Sequence, residues 1–497
     1  MRRLSLTATF LVFVLSSLFL HCEKSFSFNL EKDVRKVILS NGLTVLMLAR
    51  PMSPTVSLYI RHRVGAVDEP AGATGTAHFL EHLLFKGTKT IGTKNLRREE
   101  EIIKKIYQVG TALDKEKRKV KKDLKVIESL TTKLKQLQDK HRKLYVSNEI
   151  DRLYTENGAV QFNASTGQDV TTYHVNLPAN KIELWARIEA DRMVNPLFRE
   201  FYQERDVIME ERRQSIESDP EGKLMEQFFA TAFIAHPYRR PILGWPYDMA
   251  NLQPDTVKNF LLNYHAPNNT VIAVVGDIDY VSTLRIIKKY FGKIKARPVR
   301  RPLITEEPAQ SGERRIEVLF PANPQIIIGY HKPNMPHFDD YVFDLIDSIL
   351  SQGRSSRLYK SLVLDKGMAE SVQTANGMPG VRYPNLFMIF ANPKTPFSAI
   401  EVEQEIYKQI DLIKNDGVSP EELEKCKNQI KVDYLRSLTT NAALASKLSY
   451  YETILGDFRY LANYLENIDK ITIDDIKNVA KKYLTKENRT VAILTKK

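Results

Sequence analysis

The sequence predicts an α+β protein built from two duplicated domains, the first interrupted by a helical hairpin. Three observations predict it. The chain has 497 residues, 43% of them hydrophobic. That is enough for two to four domains with sizeable cores, at roughly 100–200 residues each. A helix-then-strand pattern recurs. Asp255-Thr256-Val257-Lys258-Asn259, Tyr264 and Asn269-Thr270-Val271-Ile272-Ala273 are matched by Asp474-Asp475-Ile476-Lys477-Asn478, Tyr483 and Arg489-Thr490-Val491-Ala492-Ile493. The helices and tyrosines share an offset of 219 residues, and the strand pair needs one inserted residue. Finally, residues 97–143 hold 16 Lys/Arg and 8 Asp/Glu, so more than half of the net charge of +13 sits in one amphipathic stretch.

At the N-terminus, Arg2 and Arg3 precede an apolar run over residues 4–20. A basic start and a short apolar run form a secretory signal, assigned to residues 1–27 with Ser25-Phe26-Ser27 at the cleavage site. Lipoprotein cleavage before Cys22 is the second option, and the run is slightly short for a membrane anchor. The mature chain is expected to be exported, periplasmic or secreted. Residues 34–295 then form the first domain. Residues 296–312, with Pro298, Pro302 and Pro308, form a linker, and residues 313–497 form the second domain.

Pro54 and Pro324 each open a strand, Thr55-Val56-Ser57-Leu58-Tyr59-Ile60 and Gln325-Ile326-Ile327-Ile328-Gly329-Tyr330. A helix ending in glycine follows each, over residues 78–87 and 343–353. Aligning Gly87 with Gly353 sets His78, Glu81 and His82 opposite Asp344, Asp347 and Ser348, so the polar chemistry is kept in one half.

The hairpin is assigned to residues 97–147. Ile127, Leu130, Leu134, Leu137 and Leu144 alternate at spacings of three and four, with His141 in one apolar slot and Val120 and Leu124 extending the stripe. Residues 96–113 read as the partner helix, with Gly110 near the turn. A helix over residues 115–145 would reach roughly 45 Å. The stripe looks self-sufficient and the charge suits solvent, so the hairpin is expected to project from the body. Its basic face is either a contact for an acidic partner or anionic membrane surface, or the solvated side of a coiled pair. Nucleic acid is not expected, because no binding motif accompanies the charge.

Composition narrows the chemistry. Two cysteines, Cys22 and Cys426, cannot build a disulfide framework or a Cys-based zinc site. A bound metal must therefore use His, Asp or Glu, and there are only ten histidines. His78-Phe79-Leu80-Glu81-His82 places two imidazoles one above the other on a helix, where both can bind one ion. Glu81 is adjacent and can act on a water at the metal. This His-x-x-Glu-His order is the inverted zincin pattern. The Gly72-Ala73-Thr74-Gly75-Thr76 run supplies a turn and an N-cap. Zinc needs a third protein ligand and an open position. In the helix around Val207, Ile208, Met209 and Ile216, Glu204 and Glu211 lie seven residues apart on one face, both candidates, while Glu210 points elsewhere.

The stretch His78-Phe79-Leu80-Glu81-His82-Leu83-Leu84-Phe85-Lys86-Gly87-Thr88, with the Glu204/Glu211 pair, resembles the pitrilysin/insulinase family of zinc metallopeptidases, in particular its mitochondrial-processing-peptidase-like bacterial members. Asn163-Ala164-Ser165-Thr166 before Asp169-Val170-Thr171-Thr172-Tyr173, His236-Pro237-Tyr238-Arg239-Arg240-Pro241 and Pro267-Asn268-Asn269 share the resemblance, which covers residues 34–497. It implies two α/β-roll domains, each an antiparallel sheet packed with helices, the second catalytically silent. It implies a Zn2+ cofactor, with His78, His82 and Glu211 as ligands, Glu81 as general base and Glu204 as a carboxylate behind the ligands. Asn163 and Ala164 would lie on a substrate-binding edge strand, which receives an extended peptide by main-chain hydrogen bonds.

The chain departs from that family in two places. The span between His82 and Glu211 is longer, by about the length of the hairpin. Val363 and Glu370 stand where relatives place an Arg and a Tyr in the silent half. The expected activity is zinc-dependent endopeptidase cleavage of extended peptides, completed by a zinc-free homologous partner in a heterodimer. Arg354 or Arg357 with Tyr359 is the alternative source of that pair within one chain. The alternative function is a non-catalytic structural or binding subunit of the same fold.

Overall fold

A computed structural model describes residues 30–496, so the N-terminal signal assigned to residues 1–27, and Cys22 with it, lie outside the described residues. No helix among the described residues is long and apolar enough to cross a membrane.

Among the described residues, eleven strands form two sheets. The first contains β1 (Arg35–Ile38), β2 (Thr44–Ala49), β3 (Thr55–His62), β4 (Val160–Thr166), β5 (Thr171–Pro178) and β6 (Thr270–Gly276), in the order β1-β2-β6-β3-β5-β4. The second contains β7 (Arg314–Leu319), β8 (Gln325–Lys332), β9 (Ala369–Met378), β10 (Asn385–Pro393) and β11 (Arg489–Thr495), in the order β7-β11-β8-β10-β9. Remove β1 and the two orders are the same. So are the directions: β2 and β6 run parallel, as do β7 and β11, and every other pair is antiparallel. Strands β3 and β8 are the two that follow a proline, and β6 and β11 are the repeated strands near the ends of the halves. The sequence repeat is thus a repeat of fold.

The helices that matter here are α1 (Thr76–Leu84), α2 (Leu96–Arg118), α3 (Leu124–Arg142), α4 (Phe201–Arg212), α5 (Pro220–Ala232), α6 (Pro254–Tyr264), α7 (Phe338–Ser351), α8 (Asn441–Leu455) and α9 (Ile473–Tyr483). Alternation along β3 sends Val56, Leu58 and Ile60 to one face of the first sheet, against Trp185 and Ile188 and against Ile287 and Phe291. The other face carries Tyr59 and packs on Leu444, Ala445 and Leu448 of α8, which belongs to the far end of the chain. The second sheet repeats the arrangement in reverse. Ile326, Ile328 and Tyr330 face Phe343 and Ile346 of α7, while Ile327, Met388 and Ala492 face Leu224 and Phe228 of α5, from the first half. Each half therefore lends one helix to the other's sheet. Gly329 in β8 makes room for this, since a Cβ there would strike the Phe228 ring. A polar latch joins the halves beside it. Asp169 accepts from Tyr238 Oη at 2.7 Å and from the Val381 N–H at 2.6 Å, and Arg382 pairs with buried Asp68 at 2.8 Å.

The hairpin exists as α2 and α3, but it is not an outgrowth. Ile106, Val109 and Leu113 of α2 and Leu134 of α3 share one buried cluster with Phe79 of α1 and with Phe201, Tyr202 and Ile208 of α4. The heptad stripe is used against the body as well as within the pair. Val120 and Leu124 are exposed and do not extend it. The turn lies at residues 119–123, so both helices are shorter than the reach expected from residues 115–145. Gly110 is not near that turn. It sits in the middle of α2, and a Cβ there would collide with the hydroxyl edge of the Tyr202 ring, 2.0 Å from its Cζ. Alanine is ordinarily favoured over glycine in a helix by about 1 kcal/mol. Here Gly110→Ala should reverse that sign and destabilise the chain by about 1–3 kcal/mol through overpacking, read as a lower urea midpoint.

Candidate metal centre

Helix α1 is short, and its start is held from outside. Gly75 is the N-cap and offers no side chain. The buried Glu69 carboxylate takes over, accepting from the Gly75 N–H at 2.8 Å and the Ala77 N–H at 2.7 Å. A carboxylate at a helix N-terminus is favoured by the orphan donors and the dipole, although burial pushes Glu69 up to about 8. Its apolar residues Phe79, Leu80, Leu83 and Leu84 are buried. That fixes the remaining face, which carries His78, Glu81 and His82.

The two imidazoles stack along that face with ring centroids 4.7 Å apart. Helix α4 crosses it and brings Glu211. His78 Nε2 lies 3.8 Å from Glu211 Oε1, and His82 Nε2 lies 3.7 Å from Glu211 Oε2. One ligand atom from each of the three residues falls within 4.8 Å of the others. Glu210, one residue earlier, is turned away and pairs with Arg213 at 2.5 Å. Glu204, two turns before Glu211, is buried behind the pair. Its Oε2 is 3.4 Å from His82 Nδ1, and its Oε1 is 2.6 Å from Lys86 Nζ. Of the apolar residues read on this helix, Ile208 is buried but Val207 is exposed, so the apolar face is narrower than the sequence suggested.

The electrostatics suit a cation. Burial, with a smaller contribution from His82, holds His78 down at about 3, so its imidazole stays neutral with a free lone pair. His78 Nδ1 is buried and has no hydrogen-bond partner among the described residues. Two imidazoles and a carboxylate form a donor set that fits zinc with one position left open. Burial raises Glu81, opposed by the 2.6 Å hydrogen bond from Thr166 Oγ1. Burial would also raise Glu204, but His82 and Lys86 outweigh it and hold this carboxyl below its ordinary value.

Strand β4, the free edge of the first sheet, runs beside α1. Phe162, Ala164 and Thr166 are half-buried, whereas Gln161, Asn163 and Ser165 are exposed. Ala164 thus lies on the α1 face, while Asn163 is outward and accepts the Ala164 N–H at 2.9 Å. Sequence reasoning gave no role to Glu69, Lys86 or the Thr166 hydroxyl. Lys86 and Thr166 stood within quoted motifs, but their partners come from other elements.

The second half keeps the outline of the site without its ligands. Asp347 accepts from Thr374 Oγ1 of β9 at 2.6 Å, as Glu81 does from Thr166 of β4. Asp344 is bound by Asn376 Nδ2 at 2.8 Å and Tyr464 Oη at 2.8 Å, and burial raises it to about 7. Val363 packs against the second core and Glu370 is exposed. Arg357 is committed to Glu422 at 2.6 Å, whereas Arg354 is exposed and lines a groove with Tyr359.

Comparison with known proteins places this arrangement. The profile described as insulinase, peptidase family M16, matches residues 44–117 and 134–245. The profile described as the peptidase M16 inactive domain matches residues 251–430. Only residues 118–133 break the first match, so the tip of the hairpin, and not its whole length, is what the profile lacks. A Helicobacter pylori zinc protease, PqqE, is 26% identical over 466 residues, covering 92% of each chain. The beta subunit of the mitochondrial processing peptidase of Lentinula edodes is 22% identical, over 90% of this chain and 86% of its own. The crystal structure of a protease from Helicobacter pylori superposes with a TM-score of 0.78 at 25% identity, covering 93% of this chain and 99% of that one. With two profiles of one family matched in chain order across both halves, the chain belongs to peptidase family M16, the insulinase family.

Proposed function

We propose that this protein is an exported zinc-dependent endopeptidase acting on extended or unfolded peptides. The observation that carries the reading is the convergence of His78, His82 and Glu211 beside a buried Glu81. His78, His82 and Glu211 would hold the ion, and Glu204 would orient His82. Zinc, when bound, lowers the pKa of a water towards ~7 and polarises the scissile carbonyl. Glu81 takes the proton of the attacking water and returns it to the leaving amine. Thr166 fixes the Glu81 carboxylate from β4, and the free edge of β4 aligns the peptide main chain, which selects for an extended conformation more than for side-chain identity. The test is metal content. The mature chain should carry one zinc, and the His78→Ala, His82→Ala double variant none, with the two-sheet body still folded by circular dichroism. Stoichiometric zinc in the double variant would refute this ligand set.

The chain works as half of a heterodimer in this reading. A peptidase needs hydrogen-bond donors for the developing oxyanion. Val363 has none to give, and Glu370 would repel it if ionised. A homologous, zinc-free partner that carries an Arg and a Tyr would repair both. Activity on short unstructured peptides should therefore appear only when that partner is added. Full turnover by the chain alone, abolished by Arg354→Ala, would assign the oxyanion role to this chain instead.

A further inference from the structure

A run of polar contacts starts at the foot of the hairpin and ends on a metal-site histidine. The chain returns from α3 through Tyr145, which bridges to Thr93 at the hairpin base. Tyr145 Oη donates to Glu200 Oε1 at 2.7 Å. Lys86 Nζ reaches Glu200 Oε2 at 3.2 Å and Glu204 Oε1 at 2.6 Å, and Glu204 Oε2 faces His82 Nδ1 at 3.4 Å. Glu200 itself adopts a left-handed backbone conformation, φ 57°, as the N-cap of α4. A glutamate is rarely held there, and such strained residues concentrate where surrounding contacts fix them for a purpose. Here the strain aims the Glu200 side chain between Tyr145 and Lys86, in the turn that sends α4 toward α1.

We propose that Lys86 and Tyr145 are positioning residues of the metal centre, with Glu200 the competing carboxylate between them, and that through them the docked hairpin sets the orientation of His82. The inference rests on the zinc reading above. Lys86 is shared by two carboxylates. Tyr145 satisfies Glu200 and so limits its competition for Lys86. Glu204 then keeps its cation and stays aligned on His82 Nδ1. That alignment holds the proton on Nδ1 and leaves Nε2 free toward Glu211. Groups behind metal ligands typically change metal affinity by 10–100-fold when removed.

The experiment uses the full mature chain and two readouts. Zinc affinity is measured by competition with a chromogenic chelator, and the His82 Nδ1–H resonance by NMR on zinc-free protein. Lys86→Met should weaken zinc binding by about 10–100-fold. Tyr145→Phe should weaken it by a smaller factor. Glu200→Gln, which removes the competitor, should leave affinity at the wild-type level or tighten it. Unfolding midpoints of the zinc-free variants control for folding. The protected Nδ1–H signal should be present in the wild type and broadened or lost in Lys86→Met. Wild-type zinc affinity in both Lys86→Met and Tyr145→Phe would overturn the inference. If the wild-type chain takes up no zinc, the metal reading fails, and the NMR arm decides alone: an Nδ1–H signal that persists in Lys86→Met overturns the positioning role.

Discussion

Glu81→Gln should leave zinc bound and lower kcat/KM for peptide hydrolysis by at least ~10²-fold, the usual scale for removing a general base. The amide keeps the shape and can still meet Thr166, so the loss would report proton transfer and not collapse of the site. Glu210→Gln is the matched control. Glu210 faces solvent and Arg213, not the His pair, and should be close to neutral for activity. The pH profile follows from the direction of the shift. Burial raises Glu81 above its ordinary 4.5, and the base must be ionised to act. Activity should therefore be lost on the acid limb of kcat/KM, as pH falls through the value at which Glu81 takes up its proton. An acid limb that is unmoved in Glu81→Asp would assign the limb to another group.

Arg199→Ala should cost about 3–5 kcal/mol of folding stability, the range for stripping one partner from a buried ion pair. Arg199 and Glu99 are both 0% exposed. Arg199 Nε meets Glu99 Oε1 at 2.6 Å, and the guanidinium also donates to the Lys86, Thr88 and Ile91 carbonyls. His141 of α3 reaches the same carboxylate at 3.1 Å. One arginine thus ties both hairpin helices to the loop leaving α1 and to the start of α4. The alanine variant takes the guanidinium from a buried carboxylate and strands three carbonyls together. Arg199→Met with Glu99→Gln should recover part of the loss, because no charge is then left unpaired. Urea unfolding of the single and double variants measures this. In the wild type, burial alone would raise Glu99, but His141 and Arg199 draw it down to about 2. A depressed folded value contributes stability that is complete above the ordinary 4.5 and is lost as pH falls toward 2. Replacing the hairpin by a short loop removes the same anchor along with Ile106, Val109 and Leu113, so a folded product is not expected.

The duplicated fold was legible in the sequence because repeats at fixed offset survive as identical strand orders. The His78–His82 pair was legible because helical spacing is local: four residues fix which side chains stack, whatever surrounds them. The seven-residue interval did the same for Glu204 and Glu211, and kept Glu210 apart. What the sequence could not decide was which elements meet. The heptad stripe looked self-sufficient because periodicity marks an apolar face without naming its partner, and α1 and α4 turned out to share that face. Helices α5 and α8 each cover the opposite half's sheet, an exchange between segments roughly a hundred residues or more apart that no local pattern encodes. The same holds for Glu69 capping α1, for Thr166 holding Glu81 and for Lys86 between Glu200 and Glu204. Each joins side chains that are unremarkable in sequence, and only burial in a shared low-dielectric environment gives the contact its strength.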